Sequence, residues 1–135
     1  MPPEATQPII LAMAAPVALE VEVDAARNLI AAGAPVLDVR DADEREQVRI
    51  EGSIWIPVEE LSDRWRELPV DSTLVVQCAA GSRSFRATKF LREKGLVATS
   101  MIGGISAWEA RGFPTTNGSA RGSDTGAGSP PVGAS

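Results

Sequence analysis

The sequence predicts an α/β domain built on a parallel-rich sheet covered on both faces, and three observations carry that prediction. Strand-like and helix-like stretches alternate along the chain, the order that builds parallel sheets. The inner strand-like stretches at 35–39, 54–56 and 73–77 are mostly apolar runs, as strands with two covered faces require. Of the 135 residues, 44% are hydrophobic and 23% charged, so one domain of ordinary globular composition accounts for the chain.

The elements follow in order. Residues 19–23 alternate apolar and acidic side chains, the period of a half-exposed edge strand. Residues 24–32 read as a short helix stopped by Gly33. Residues 35–39 form a buried strand, with Asp38 polar where the run should be apolar. The charged stretch 41–48 reads as a short helix, and its acidic part, 41–46, as a solvated face. Residues 54–56 are a second buried strand, closed by Pro57; residues 59–68 are helical, with Leu61, Trp65 and Leu68 on one face. Residues 73–77 make the third core strand. The clearest helix is 84–94, where Phe85, Thr88 and Leu91 share a face and Lys89, Arg92 and Lys94 crowd the C-terminal half before Gly95. A fourth strand at 97–101, a turn at Gly103-Gly104 and a last helix at 105–110 complete the series. Trp55, Trp65 and Trp108 read as core anchors, because large aromatics dominate core burial.

The ends differ from the middle. Residues 1–18 form an extension without a clear period; residues 117–135 are rich in Gly and Ser, and too poor in apolar side chains to offset their ordering entropy. The working domain is therefore expected at 19–116, with a disordered tail after it. The apolar run 9–19 is too short to span a bilayer, and no positive stretch precedes it, so a cytoplasmic protein is expected.

Two absences prune the chemistry. Without histidine there is no Ser-His-Asp triad, Cys-His dyad or imidazole metal site. With one cysteine there is no internal disulfide and no Cys-pair zinc site, and a free thiol fits a reducing compartment. No metal and no cofactor is expected. The net charge of -5 argues against nucleic acid or an anionic membrane as partner.

The chemistry concentrates in one stretch. Cys78 directly follows a core strand and is followed by Ala79, Ala80, Gly81, Ser82, Arg83 and Ser84 and then the best helix. Ligands of α/β sheets gather at the carboxyl ends of strands. A loop of small residues can turn its N–H groups inward, and with the positive end of a helix behind it, such a nest favours a thiolate. Arg83 adds a fixed charge suited to oxyanions. A buried structural cysteine is the competing reading, since free cysteines are among the most buried residues.

Cys78-Ala79-Ala80-Gly81-Ser82-Arg83 resembles the Cys-x-x-Gly-x-Arg loop of single-domain rhodaneses. Val36-Leu37-Asp38-Val39-Arg40, the stretch from Arg49 to Pro57, and Met101-Ile102-Gly103-Gly104-Ile105-Ser106-Ala107-Trp108 with Gly112-Phe113-Pro114 are similar to three further boxes of that family, in the same order. The resemblance implies a rhodanese-like fold: a mostly parallel five-stranded sheet between helices. It also implies a sulfurtransferase in which Cys78 takes a sulfane sulfur from thiosulfate or a persulfide and passes it to a thiol, to cyanide or to a sulfur-relay protein. On that basis the loop amides cradle the terminal sulfur, and Arg83 holds the loop or a substrate oxyanion. Asp38, Arg40 and Arg49 are expected to form a supporting polar network. The arginine stands at the fifth position after the cysteine, whereas cysteine phosphatases have it at the sixth; the tighter loop suits sulfur better than a phosphoryl group. Ala79 stands where many members are basic, and Arg49 where many carry histidine. The first leaves fewer charges to bind thiosulfate, whereas the second keeps a polar structural contact, because arginine can still hydrogen-bond a carboxylate. A persulfide carrier or regulatory binding module is the alternative reading, with a redox sensor behind it because the chain has no resolving cysteine.

Overall fold

A computed structural model describes residues 17–117. The expected disordered tail lies outside the described residues except for Asn117, as does the extension except for Val17 and Ala18. Both of those dock on the domain: Arg92 donates to their two carbonyls, and Thr99 Oγ1 donates to Ala18 O at 2.7 Å.

The element order is β1 (Glu20–Val21), α1 (Val23–Ala31), β2 (Val36–Asp38), α2 (Ala42–Gln47), β3 (Ile54–Trp55), α3 (Leu61–Arg64), β4 (Leu74–Gln77), α4 (Ser82–Glu93), β5 (Ala98–Met101) and α5 (Gly104–Ala110). The strands form one five-stranded sheet, β1-β5-β4-β2-β3, in which every neighbouring pair is parallel. The period of two sorts the side chains between two layers. Leu37, Val39, Leu74, Val76 and Cys78 pack with Leu61, Leu68, Ala87 and Leu91 on the α3/α4 face. Val36, Val75 and Met101 pack with Val23, Ala26, Ile105 and Trp108 on the α1/α5 face. Central strands β2, β4 and β5 are buried throughout, which is why their sequences do not alternate.

Three expectations are corrected. Residues 54–56 are not a buried strand: β3 is a sheet edge, and Trp55 is 36% exposed rather than a core anchor. Its indole is held by a polar bond instead, Nε1 donating to Arg40 O at 2.8 Å. Residues 59–68 are not one helix but a 3-10 turn (Val58–Glu60), the single turn α3 and a second 3-10 turn (Trp65–Glu67). The cause at the far end is Pro69, which forces Leu68 into extended backbone at ψ 148° and denies the helix another turn. The helix after Cys78 starts at Ser82, two residues before the expected start, which places Arg83 and Ser84 in its first turn.

Strands are added outward in opposite directions from β2 and β4, since β3 lies beyond β2 and β5 beyond β4. The ends of β2 and β4 are thus a switch point of the strand order, the place where open α/β sheets have their ligand crevice.

Candidate active site

The alternation of β4 carries Cys78 onto the α4 face, where it is 1% exposed. The loop that follows is anchored by its carbonyls. Ile105 N donates to Cys78 O at 2.8 Å and Ser106 N to Ala79 O at 3.2 Å, so the start of α5 takes the loop's acceptors outward. Its donors are thereby left facing the sulfur: Gly81 N lies 3.1 Å and Ser84 N 3.3 Å from Cys78 Sγ. Gly104 makes this contact possible. A Cβ there would collide with the Cys78 carbonyl oxygen and sit 2.7 Å from that of Ala79, so only glycine fits. Gly81 turns the loop into α4 at φ 109°, a left-handed conformation natural to glycine.

Ser84 Oγ stands 3.5 Å from the sulfur and 2.8 Å from Ser100 Oγ of β5. Burial pushes the Cys78 thiol up, but the Ser84 hydroxyl and the amides of Ser84, Gly81 and Ala80 outweigh it and bring it below its ordinary value. The start of the 12-residue helix α4 adds its positive end. The result is a buried sulfur whose anionic form is favoured by neutral donors.

Arg83 is committed elsewhere. Its Nη1 and Nη2 donate to the two carboxylate oxygens of Glu44 at 2.9 and 2.8 Å. Glu44 also closes a capping box at the start of α2, accepting from Asp41 N at 2.9 Å. Hydrogen bonding from Arg83 drives the Glu44 carboxyl down to about 2, against burial and with help from the Asp41 amide. The same pair raises Arg83 above the ordinary guanidinium value. The stretch 41–46 is therefore not a purely solvated face: Glu44 ties α2, which leaves β2, to α4, which leaves β4, across the crevice.

The expected polar network is present in altered form. Asp38 and Arg40 are both buried, and Asp38 accepts from Arg40 N (3.0 Å), Nε (3.0 Å) and Nη2 (2.9 Å). Arg49 is not its third member. Helix α2 ends at Gln47 and the chain turns extended at Val48, so the Arg49 backbone pairs antiparallel with Thr116. Arg45 of α2 reaches Asp38 Oδ2 instead, at 3.1 Å, and also binds Ser53 Oγ and O. Burial lowers Arg45 from the ordinary guanidinium value more than Asp38 raises it.

Ala79 and Ser82 lie on the loop with no side-chain hydrogen bond among the described residues, and Ala80 contributes its amide. Reasoning from sequence missed Glu44, Arg45, Ser100 and Gly104. Asp41-x-x-Glu44 has the capping-box pattern, which marks a helix start but not the partner 39 residues away. Gly103-Gly104 was legible as a turn, not as a buttress for the loop. Among the described residues no group of His, Cys, Asp and Glu is placed to hold a metal ion. None of their helices is long and apolar enough to cross a membrane.

Comparison with known proteins places this geometry in context. The profile of the Rhodanese-like domain matches residues 22–111. A sulfurtransferase of Allochromatium vinosum is 31% identical over 80 residues, covering 58% of this chain and 75% of that protein. Thiosulfate sulfurtransferase 16 of Arabidopsis thaliana, a chloroplast protein, is 31% identical over 111 residues, covering 70% and 90%. The crystal structure of a rhodanese-related protein from Thermoplasma volcanium superposes with a TM-score of 0.69 at 36% identity, covering 72% of this chain and 96% of the other.

Proposed function

The chain belongs to the Rhodanese-like domain family, and from that premise we propose that it is a sulfurtransferase that carries a sulfane sulfur as a persulfide on Cys78. The observation that carries this reading is the sulfur itself, buried and met by Gly81 N, Ser84 N and Ser84 Oγ. In the first half-reaction the Cys78 thiolate attacks the outer sulfur of a donor such as thiosulfate or a persulfide. The donor's S–S bond breaks, its leaving group departs with the electron pair, and a new S–S bond forms on Cys78. In the second, a thiol or cyanide attacks the terminal sulfur and the thiolate is regenerated. Splitting the transfer in two is what an activated nucleophile provides. The inward-facing amides favour the anionic sulfur in both states. A reducing compartment suits a nucleophile that must return to the free thiol, and we assign the protein to the cytoplasm; fractionation into an oxidising compartment would refute that.

A second reading, a persulfide carrier charged by a partner protein, is favoured by Arg83. Both its terminal nitrogens are held by Glu44, and Ala79 and Ala80 bring no charge, so the loop offers little to a small dianion. Intact-protein mass spectrometry after incubation with thiosulfate, comparing wild type with Cys78→Ser, tests the proposal. The expected result is a gain of about 32 Da, removed by cyanide and absent from the variant. An adduct formed only with persulfide donors favours the carrier; no adduct with either donor overturns both readings.

A further inference from the structure

Ser100 has no evident structural reason to be a serine. It lies on β5, 1% exposed, on the α4 face of the sheet whose other side chains are apolar. Neighbouring Thr99 uses its hydroxyl to hold the Ala18 carbonyl. Among the described residues the Ser100 hydroxyl has one partner, the Ser84 hydroxyl at 2.8 Å. Ser84 in turn is fully buried and has three neighbours: Ser100 Oγ, Gly81 O at 3.2 Å and Cys78 Sγ at 3.5 Å.

Each hydroxyl has one proton and two lone pairs, so the polarity of the pair can be worked out. If Ser84 donated to Ser100, the Ser100 proton would be buried without an acceptor among the described residues. Leaving a buried donor unmade costs about 1–3 kcal/mol. Gly81 O would also lose its hydroxyl donor, and the sulfur, which as a thiol can donate to the Ser84 oxygen, would on ionisation face a lone pair. With the opposite polarity both buried protons are used. Ser100 donates to Ser84, and the Ser84 proton is free for Gly81 O or for the sulfur. Once the sulfur is an anion, charge assistance draws that proton to it.

We propose that Ser100 is a positioning residue: by donating to Ser84 Oγ it commits the Ser84 hydroxyl to act as a donor toward Cys78. Its relevance to sulfur transfer rests on Cys78 being the sulfur-bearing nucleophile, but the polarity itself is read on the thiol. Hydroxyl pairs in low-dielectric surroundings polarise each other, so the contact strengthens the bond that Ser84 makes to the thiolate. Arg83, the charged side chain electrostatically coupled to Cys78, is bound to Glu44 rather than to the sulfur, through hydrogen bonds that do not involve Ser100.

The test is the pH profile of Cys78 alkylation by iodoacetamide in the full chain, where one cysteine gives one signal. Ser100→Ala should move the profile to higher pH, lowering reactivity below the midpoint by about two- to four-fold. Ser84→Ala should lower it by about ten-fold, and adding Ser100→Ala to Ser84→Ala should change nothing more. Ser100→Thr and Ser100→Val have nearly equal volume, so restoration by Thr and not Val separates the hydroxyl from packing and keeps the test decisive if one variant folds poorly. A profile that moves to lower pH in Ser100→Ala would overturn the proposal, because Ser84 would then have been donating to Ser100. An unmoved profile, or an additive double variant, would overturn it as well. None of these outcomes depends on whether a sulfur donor is accepted, so failure of the functional reading is seen separately, in the mass-spectrometric adduct.

Discussion

At the end of β2 the carboxylate of Asp38 accepts three hydrogen bonds from Arg40 and one from Arg45. At the end of the adjacent strand β4, the Cys78 sulfur meets two backbone amides and one hydroxyl. Both groups are buried, and they belong to neighbouring strands in register through Asp38 and Gln77. One is surrounded by guanidinium groups, the other by dipoles. On the proposed function, the difference separates a structural carboxylate from a sulfur that must react. Neutralising Asp38 with cations locks it. A thiolate pressed equally hard by cations would lose basicity, and nucleophilicity falls with it. Neutral dipoles keep the sulfur ionisable without making it inert, and the cation nearest in sequence, Arg83, is turned to Glu44.

The sharpest way to break this comparison is to remove the charge balance at β2. Arg40→Met leaves a buried carboxylate with only Arg45 and also frees the Val48 carbonyl that Arg40 Nη2 holds at 2.6 Å. Removing one partner of a buried ion pair costs about 3–5 kcal/mol. Urea unfolding followed by tryptophan fluorescence should show that loss, while Cys78→Ser should stay within about 1 kcal/mol of wild type. If Arg40→Met costs less than Cys78→Ser, the strand ends do not divide into structural and reactive roles.

Much of this contrast was legible in the sequence, and the limit has a physical cause. Mostly apolar runs identified the inner strands, and a cysteine between a core strand and a strong helix marked the end proposed to carry the chemistry. Asp38 stood out as a polar residue in an apolar run, and Arg40 was matched to it correctly. Arg45 and Glu44 were hidden because both lie in a charged stretch whose composition is that of a solvated helix. Their partners are set by where α2 packs, and local composition does not carry that information. Arg49 was nominated because it occupies the place of a histidine in the family pattern, yet its backbone is drawn to Thr116 and the cation comes from one helical turn earlier. Trp55 was misread for a related reason: an apolar run predicts a strand, but the strand's place at the sheet edge depends on tertiary order.

Gln77 sharpens the comparison from its place beside both groups, paired in register with Asp38 and directly preceding Cys78. It is fully buried, and neither its amide oxygen nor its nitrogen has a hydrogen-bond partner among the described residues. It takes part in neither the carboxylate network nor the sulfur cradle, so the two ends are not wired together through it. Replacing an unsatisfied buried amide with an apolar side chain of similar length removes a desolvation cost. Gln77→Met should therefore gain about 1 kcal/mol in urea unfolding and leave the alkylation profile of Cys78 unchanged. A loss of similar size would show that the amide is satisfied and joins the two ends.

The smallest effect is expected at the pair that spans the crevice. The side chains of Arg83 and Glu44 are 25% and 33% exposed, so solvent screens their attraction, and Glu44→Gln should cost only about 0.2–1 kcal/mol near neutral pH. The pH dependence is more telling than the size. The folded-state carboxyl of Glu44 titrates at about 2, below the ordinary 4.5. A depressed acid contributes stability that is present above its unfolded value and lost as the pH falls through its folded one. The gap between wild type and Glu44→Gln should be full above about pH 4.5 and close toward pH 2, and salt should narrow it at neutral pH. A gap that persists undiminished at the acid end would mean that Glu44 acts through the Asp41 cap and its packing rather than through charge. Arg83 would then be free to leave the carboxylate at little cost, and the case for a sulfur cradle without an available cation would fail with it.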